Sequence, residues 1–140
     1  MRMAPTTDFC LCPSGPFNFL SWQGYVRGPP NSPYDKGIFR VVIKCTPAYP
    51  REPPSVEVHT KINHPSICPT TGKLFFRPLF EEWDPSSHGL KYIMMSLLQL
   101  LQDPGAAVDG TEENDALQDY KRDPDAFLEI AREWTDVFAM

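Results

Sequence analysis

The chain has 140 residues, enough for one domain that buries roughly two thirds of its unfolded surface without metal or disulfide staples. Thirteen basic residues against 18 acidic ones give a net charge of −5, the wrong balance for a nucleic-acid partner, which needs a basic face. The lysines and arginines stand singly, so an anionic membrane surface is no better supported.

In chain order, residues 1–16 hold Pro5, Pro13, Gly15 and Pro16 without helical periodicity, and read as an extended N-terminal arm ahead of a single domain over 17–140. The opening MRMAPTTDF lacks the apolar stretch of a secretory signal, so a cytoplasmic or nuclear location and reduced cysteines are expected. Cys10 and Cys12 form C-x-C, but Cys45 and Cys68 lie far off and do not answer them as a second zinc pair would. Neither a metal nor a cofactor is expected.

NFLSWQGYVR (18–27) suits a strand, and the turn cluster GPPNSPYDKG (28–37) predicts an antiparallel partner beyond it. That partner is IFRVVIKC (38–45), β-branched and aromatic, with Arg40 and Lys44 at even spacing. TPAYPREPP (46–54) is a second proline-fixed connection. SVEVHT (55–60) alternates, with Val56 and Val58 on one face. Ser21, Gln23, Arg40, Lys44, Glu57 and His59 are the candidates for an exposed outer sheet face.

The stretch INHPSICPTTGKLFFRPLFEEWDP (62–85) is a long irregular connection, usually functional when it is not disordered. Its Phe75, Phe76, Phe80 and Trp83 argue for order, because four large rings need a surface to bury on.

Beyond it Leu90, Ile93, Met94, Leu97, Leu98 and Leu101 make a helical stripe, capped by Ser86 or Ser87 and ended by Pro104-Gly105. The run from Ile93 to Leu101 is too short to span a bilayer. A short helix from about Glu112 to Lys121 takes Thr111 as its cap. Asp123-Pro124 opens a last helix that buries Phe127, Ile130, Ala131, Trp134 and Phe138 on one stripe. Strands followed by helices predict an α+β domain, an antiparallel meander sheet with the C-terminal helices packed against it.

Taken together, these pieces resemble the ubiquitin-conjugating enzymes. The matching residues are Trp22-x-Gly24, Gly28-Pro29-Pro30-Asn31-Ser32-Pro33-Tyr34 and Gly37-x-Phe39. They continue through Tyr49-Pro50-x-x-Pro53-Pro54-x-Val56, Lys61-Ile62-x-His64-Pro65, Gly72 and Trp83-x-Pro85. Tyr120-x-x-Asp123, Phe127 and Ala131-Arg132-x-Trp134-Thr135 complete a pattern that covers residues 17–140.

The resemblance implies a ubiquitin-conjugating-enzyme-like fold and points to transthiolation. In that chemistry a cysteine thiolate accepts ubiquitin as a thioester, and a lysine amine then attacks it. Family members carry His-Pro-Asn, a glycine, and the cysteine three residues after that glycine. Here the corresponding residues are His64-Pro65-Ser66, Gly72 and Phe75. Phenylalanine has no nucleophile, and serine lacks the amide, so the site reads as degenerate at His64, Ser66 and Phe75.

Other departures agree. The amphipathic helix that opens family members is expected to be missing, Arg51 stands where many members present an apolar side chain, and GAAVDGTEEN with its Asp109 replaces a shorter gate. The implied function is that of a catalytically inactive variant, a non-covalent binding module or adaptor in the ubiquitin pathway or a larger assembly. Its implied protein partners are ubiquitin, an active conjugating enzyme or a ubiquitin ligase, met through Arg51, Phe75, Phe76, Trp83 and Pro85. The alternative is an atypical enzyme that forms a thioester with ubiquitin or a ubiquitin-like protein through Cys68.

Overall fold

The computed structural model describes residues 8–15, 18–86, 89–111 and 114–139. Four strands run β1 (Phe9–Gly15), β2 (Asn18–Arg27), β3 (Ile38–Lys44) and β4 (Ser55–Val58), each antiparallel to the next in the order β1-β2-β3-β4. Two helices follow, α1 (Arg77–Glu81) and α2 (Leu90–Gln102), then a 3-10 stretch Pro104–Gly110. The chain closes with α3 (Asp115–Arg122), α4 (Pro124–Trp134) and a π-helical turn Thr135–Ala139.

Alternation sets the sheet's inner face. Val26 on β2, Val41 and Ile43 on β3, and Val56 and Val58 on β4 are all buried, because a strand turns every second side chain to the same side. They meet Ile93, Met94, Leu97 and Leu101, the stripe of α2 that the sequence predicts. Each of these side chains contributes about 2 kcal/mol by leaving water, so the α2 contact is a principal hold on the fold. The turn cluster after β2 is pinned from inside. Gly28 N–H donates to the Gly37 carbonyl at 2.8 Å, and the fully buried Tyr34 hydroxyl donates to the Asn63 carbonyl at 2.7 Å.

The segment expected as an arm supplies β1. Phe9 and Leu11 point into the core, and β1 pairs with β2 from Phe9↔Val26 to Gly15↔Asn18. No helix precedes β1 among the described residues.

Three details differ from the sequence reading. The helix expected from about Glu112 spans Asp115–Arg122, and its cap is Asn114, whose side chain accepts from the Leu117 N–H at 3.1 Å. Thr111, expected in that role, is instead buried beside the 62–85 connection. At the start of α2 the capping position is Gly89, without a side-chain bond. Ser86 lies in the preceding turn, bonded to Asp84, and the other candidate, Ser87, lies outside the described residues.

The third correction concerns α4. Phe127 and Ala131 are buried and Trp134 is half-buried, but Ile130 and Phe138 are exposed. An apolar stripe on a terminal helix is wider here than the surface available to cover it.

Candidate functional site

After β4 the connection folds back beside the sheet. Ile67 bridges to Leu74, and the Cys68 N–H donates to the Lys73 carbonyl at 2.9 Å, closing a small ribbon. Its returning limb lies along β4, with Val58 N–H to the Gly72 carbonyl at 2.8 Å and Leu74 N–H to the Val56 carbonyl at 3.0 Å. Gly72 makes this possible. Its φ is +79°, and a Cβ there would stand 2.2 Å from the Val58 carbonyl oxygen. Glycine alone adopts that backbone at that distance without strain.

His64 and Ser66 lie at the base of the ribbon, both fully buried. The imidazole Nδ1 accepts the Ser66 N–H at 2.9 Å, which fixes Nε2 as the protonated nitrogen donating to the Leu100 carbonyl at 2.7 Å. Burial lowers its pKa to about 4, only partly offset by the Leu100 bond, so the ring is neutral near pH 7. With both nitrogens engaged it has no lone pair to offer a reacting proton. The Ser66 hydroxyl is equally committed, 2.6 Å from the Thr111 hydroxyl.

Phe75 N–H donates to the Ser66 carbonyl at 2.8 Å, which ties its backbone to the base of the ribbon. It is half-buried against Pro53, Pro54, Val56 and Phe80 around a groove of about 290 Å³, and the Lys73 ammonium lies 5.7 Å from its ring centre. The next ring, Phe76, packs against the hydrophobic core and bridges through its backbone to Thr111.

Cys68 opens on a different recess, a cavity of about 650 Å³ lined by His59, Lys61, Thr70 and Thr71 among others. The Thr71 hydroxyl hydrogen-bonds the sulfur and is the main cause lowering the thiol pKa, with the Thr71 and Thr70 backbones adding to it. The basic side chains of this recess are turned to other tasks. His59 sits 3.0 Å from Glu57, and Lys61 lies over the rings of Trp134 and Phe138. Among the described residues no three His, Cys, Asp or Glu side chains converge as a metal set.

Trp83 Nε1 donates to the Pro50 carbonyl at 2.7 Å and its ring lies 6.2 Å from Tyr49, fixing the turn that carries Arg51. Arg51 and Pro85 are exposed. Arg51 and Trp83 are thus brought to one end of the molecule, while Phe75 and Cys68 occupy separate recesses. Sequence reasoning missed Thr111, which occupies the Ser66 hydroxyl, and Asn114, whose side chain donates to the Pro65 carbonyl at 3.0 Å. Asn114 carried a legible signal, an asparagine just before Asp115 and an amphipathic run. Thr111 carried none, because 45 residues separate it from Ser66.

A four-stranded meander with a folded-back ribbon and C-terminal helices defines a protein of the ubiquitin-conjugating type. The ubiquitin-conjugating enzyme family profile matches residues 1–135, and the chain belongs to that family. It is 36% identical over 124 residues to the human ubiquitin-conjugating enzyme E2 K, a match that spans 87% of this chain but 60% of that protein. It is 34% identical over 122 residues to the ubiquitin conjugating enzyme E2 B of Dictyostelium discoideum, covering 87% of this chain and 80% of that one. The solved E2 domain of a Toxoplasma gondii ubiquitin conjugating enzyme superposes with a TM-score of 0.82 at 28% identity, over 94% of this chain and 88% of that domain. No helix among the described residues is long and apolar enough to cross a membrane.

Proposed function

We propose that this chain is a ubiquitin-conjugating-enzyme variant without thioester chemistry, acting as a non-covalent binding module or adaptor in the ubiquitin pathway or a larger assembly. The observation that carries the reading is Phe75, three residues after Gly72, where the family resemblance expects the cysteine. The surroundings support it. A thioester site needs a nucleophile, a means of moving its proton and a donor for the oxyanion. At this position the ring supplies no nucleophile, the His64 nitrogens are both bonded, and the Ser66 hydroxyl is held by Thr111.

In this reading the partner is a protein of the pathway, whether ubiquitin, an active conjugating enzyme or a ligase, met in the cytoplasm or nucleus. The exposed Arg51 and Pro85 and the half-buried Phe75 and Trp83 are the contacts offered to it. Phe76, partly buried against the core, leaves only part of its ring for a partner.

A second reading is favoured by one observation, the Thr71 bond that lowers the Cys68 thiol beside an open cavity. In it Cys68 forms the thioester. Charging distinguishes the two: purified protein, ubiquitin, activating enzyme and ATP on a non-reducing gel, beside Cys68→Ser and a conjugating enzyme as positive control. Absence of a band while the control charges supports the binding module. A thiol-sensitive band lost in Cys68→Ser sinks it and makes Cys68 the nucleophile.

A further inference from the structure

Two residues that the sequence pattern assigns to the core, Ile130 and Phe138, lie on the surface, and Val137 is exposed beside them. Ile130 is 43% exposed, Phe138 47% and Val137 71%, and with the half-buried Trp134 they form one apolar stripe along α4 and the π-helical turn. Three large apolar side chains adjoining on one helix face are a patch, not the scattered exposure normal for a protein surface. Beside them a groove of about 400 Å³ is lined by Ala116, Phe127 and Ile130 together with Asp119, Arg122 and Asp123.

Charge says what can cover it. Between Asp115 and Ala139 seven carboxylates stand against three cations, which is four of the chain's five net negative charges. All ten groups are exposed. Arg122 is already paired with Asp119 at 3.4 Å. The aromatic end of the stripe holds a cation from its own chain, the Lys61 ammonium 4.9 Å from the Trp134 ring centre and 5.2 Å from that of Phe138. These rings therefore already receive an ammonium in the geometry of a cation–π contact.

A second copy of this chain fits poorly, because a two-fold contact would set the same excess of carboxylates against itself. A helix that alternates large apolar side chains with lysine or arginine fits both features at once. Its apolar residues would fill the stripe and groove, and its cations would meet Asp119, Asp123 and Glu133 at the margins. We infer that the exposed face of α4, with the α3–α4 groove, is a docking surface for a basic amphipathic helix of a protein partner. The surface is independent of Phe75 and Cys68, so it stands or falls separately from the charging result.

The test is an amide-resonance titration of the ¹⁵N-labelled full chain with a synthetic leucine–lysine amphipathic helical peptide, with its leucine–glutamate counterpart as control. The expected result is saturable shifts centred on Ile130, Trp134, Val137 and Phe138, with affinity falling about tenfold or more between low salt and ~0.5 M NaCl. Ile130→Ser with Val137→Ser, and separately Asp119→Lys with Glu133→Lys, should each weaken binding about tenfold while leaving the remaining resonances in place. Absence of saturable shifts, equal binding of the glutamate peptide, or shifts centred on another surface each overturns the proposal. Concentration-dependent dimerisation lost in Val137→Ser would also overturn it, by making the face homotypic.

Discussion

The His64 imidazole loses its hydration when the fold closes over it, and that desolvation is felt as pH-dependent stability. Its pKa falls from the ordinary 6.5 to about 4 on folding, so between those values the unfolded chain binds the extra proton and acid favours unfolding. Its contribution is complete above about pH 6.5 and is lost as pH falls toward 4, to a total of about 3 kcal/mol. Urea unfolding at pH 7 and pH 4.5 should reveal this slope, and His64→Gln should flatten it while lowering stability at both values. Gly72 is the other residue with a single physical reason. Gly72→Ala places a methyl group against the Val58 carbonyl at φ +79° and should cost roughly 2 kcal/mol or more, read from the denaturation midpoint.

At the scale of elements, β1 and α4 give opposite lessons. Seven residues within a proline-punctuated arm become an edge strand because Phe9 and Leu11 find the core while β2 supplies the backbone partners. Leu11→Ala should therefore cost roughly 2–5 kcal/mol, the usual range for a large buried side chain; a chain that tolerated it would have β1 detached. On α4, Ile130 shares its helical stripe with the buried Phe127 and Ala131 yet faces out. Ile130→Ala should shift stability by no more than about 0.5 kcal/mol, whereas Phe127→Ala should cost roughly 3–5 kcal/mol. Comparing the two denaturation midpoints checks which edge of the stripe is buried.

For the whole molecule, the core alone is expected to carry the fold. None of the four cysteines is in a disulfide, and Cys45 is buried with its thiol pKa raised by that burial. Thermal unfolding should accordingly be unchanged by excess reductant or by a chelator; a fall in the melting temperature with either would show that a disulfide or a metal helps to hold the fold. Charge is divided unevenly across the molecule. On the outer sheet face Glu57 meets both Lys44 and His59, while the stretch from Asp115 to Ala139 carries seven carboxylates against three cations. Ionic strength should thus act mainly on binding at the helical end.

What the chain determined by itself was whatever repeats at short range. The period of two in β2 to β4, the period of 3.6 in α2, and the capping pair Asp123-Pro124 were all legible, because each rests on neighbours within a few residues. Membership of the ubiquitin-conjugating enzyme family was legible too, in the ordered motifs from Trp22 to Thr135. Contacts between distant segments were not. That Thr111 would hold the Ser66 hydroxyl and that Leu100 would take the His64 proton donor depended on how segments 36 to 45 residues apart pack together. Periodicity names the apolar face of a helix, but only the packed molecule decides how much of that face finds cover, and on α4 the cover runs out at Ile130.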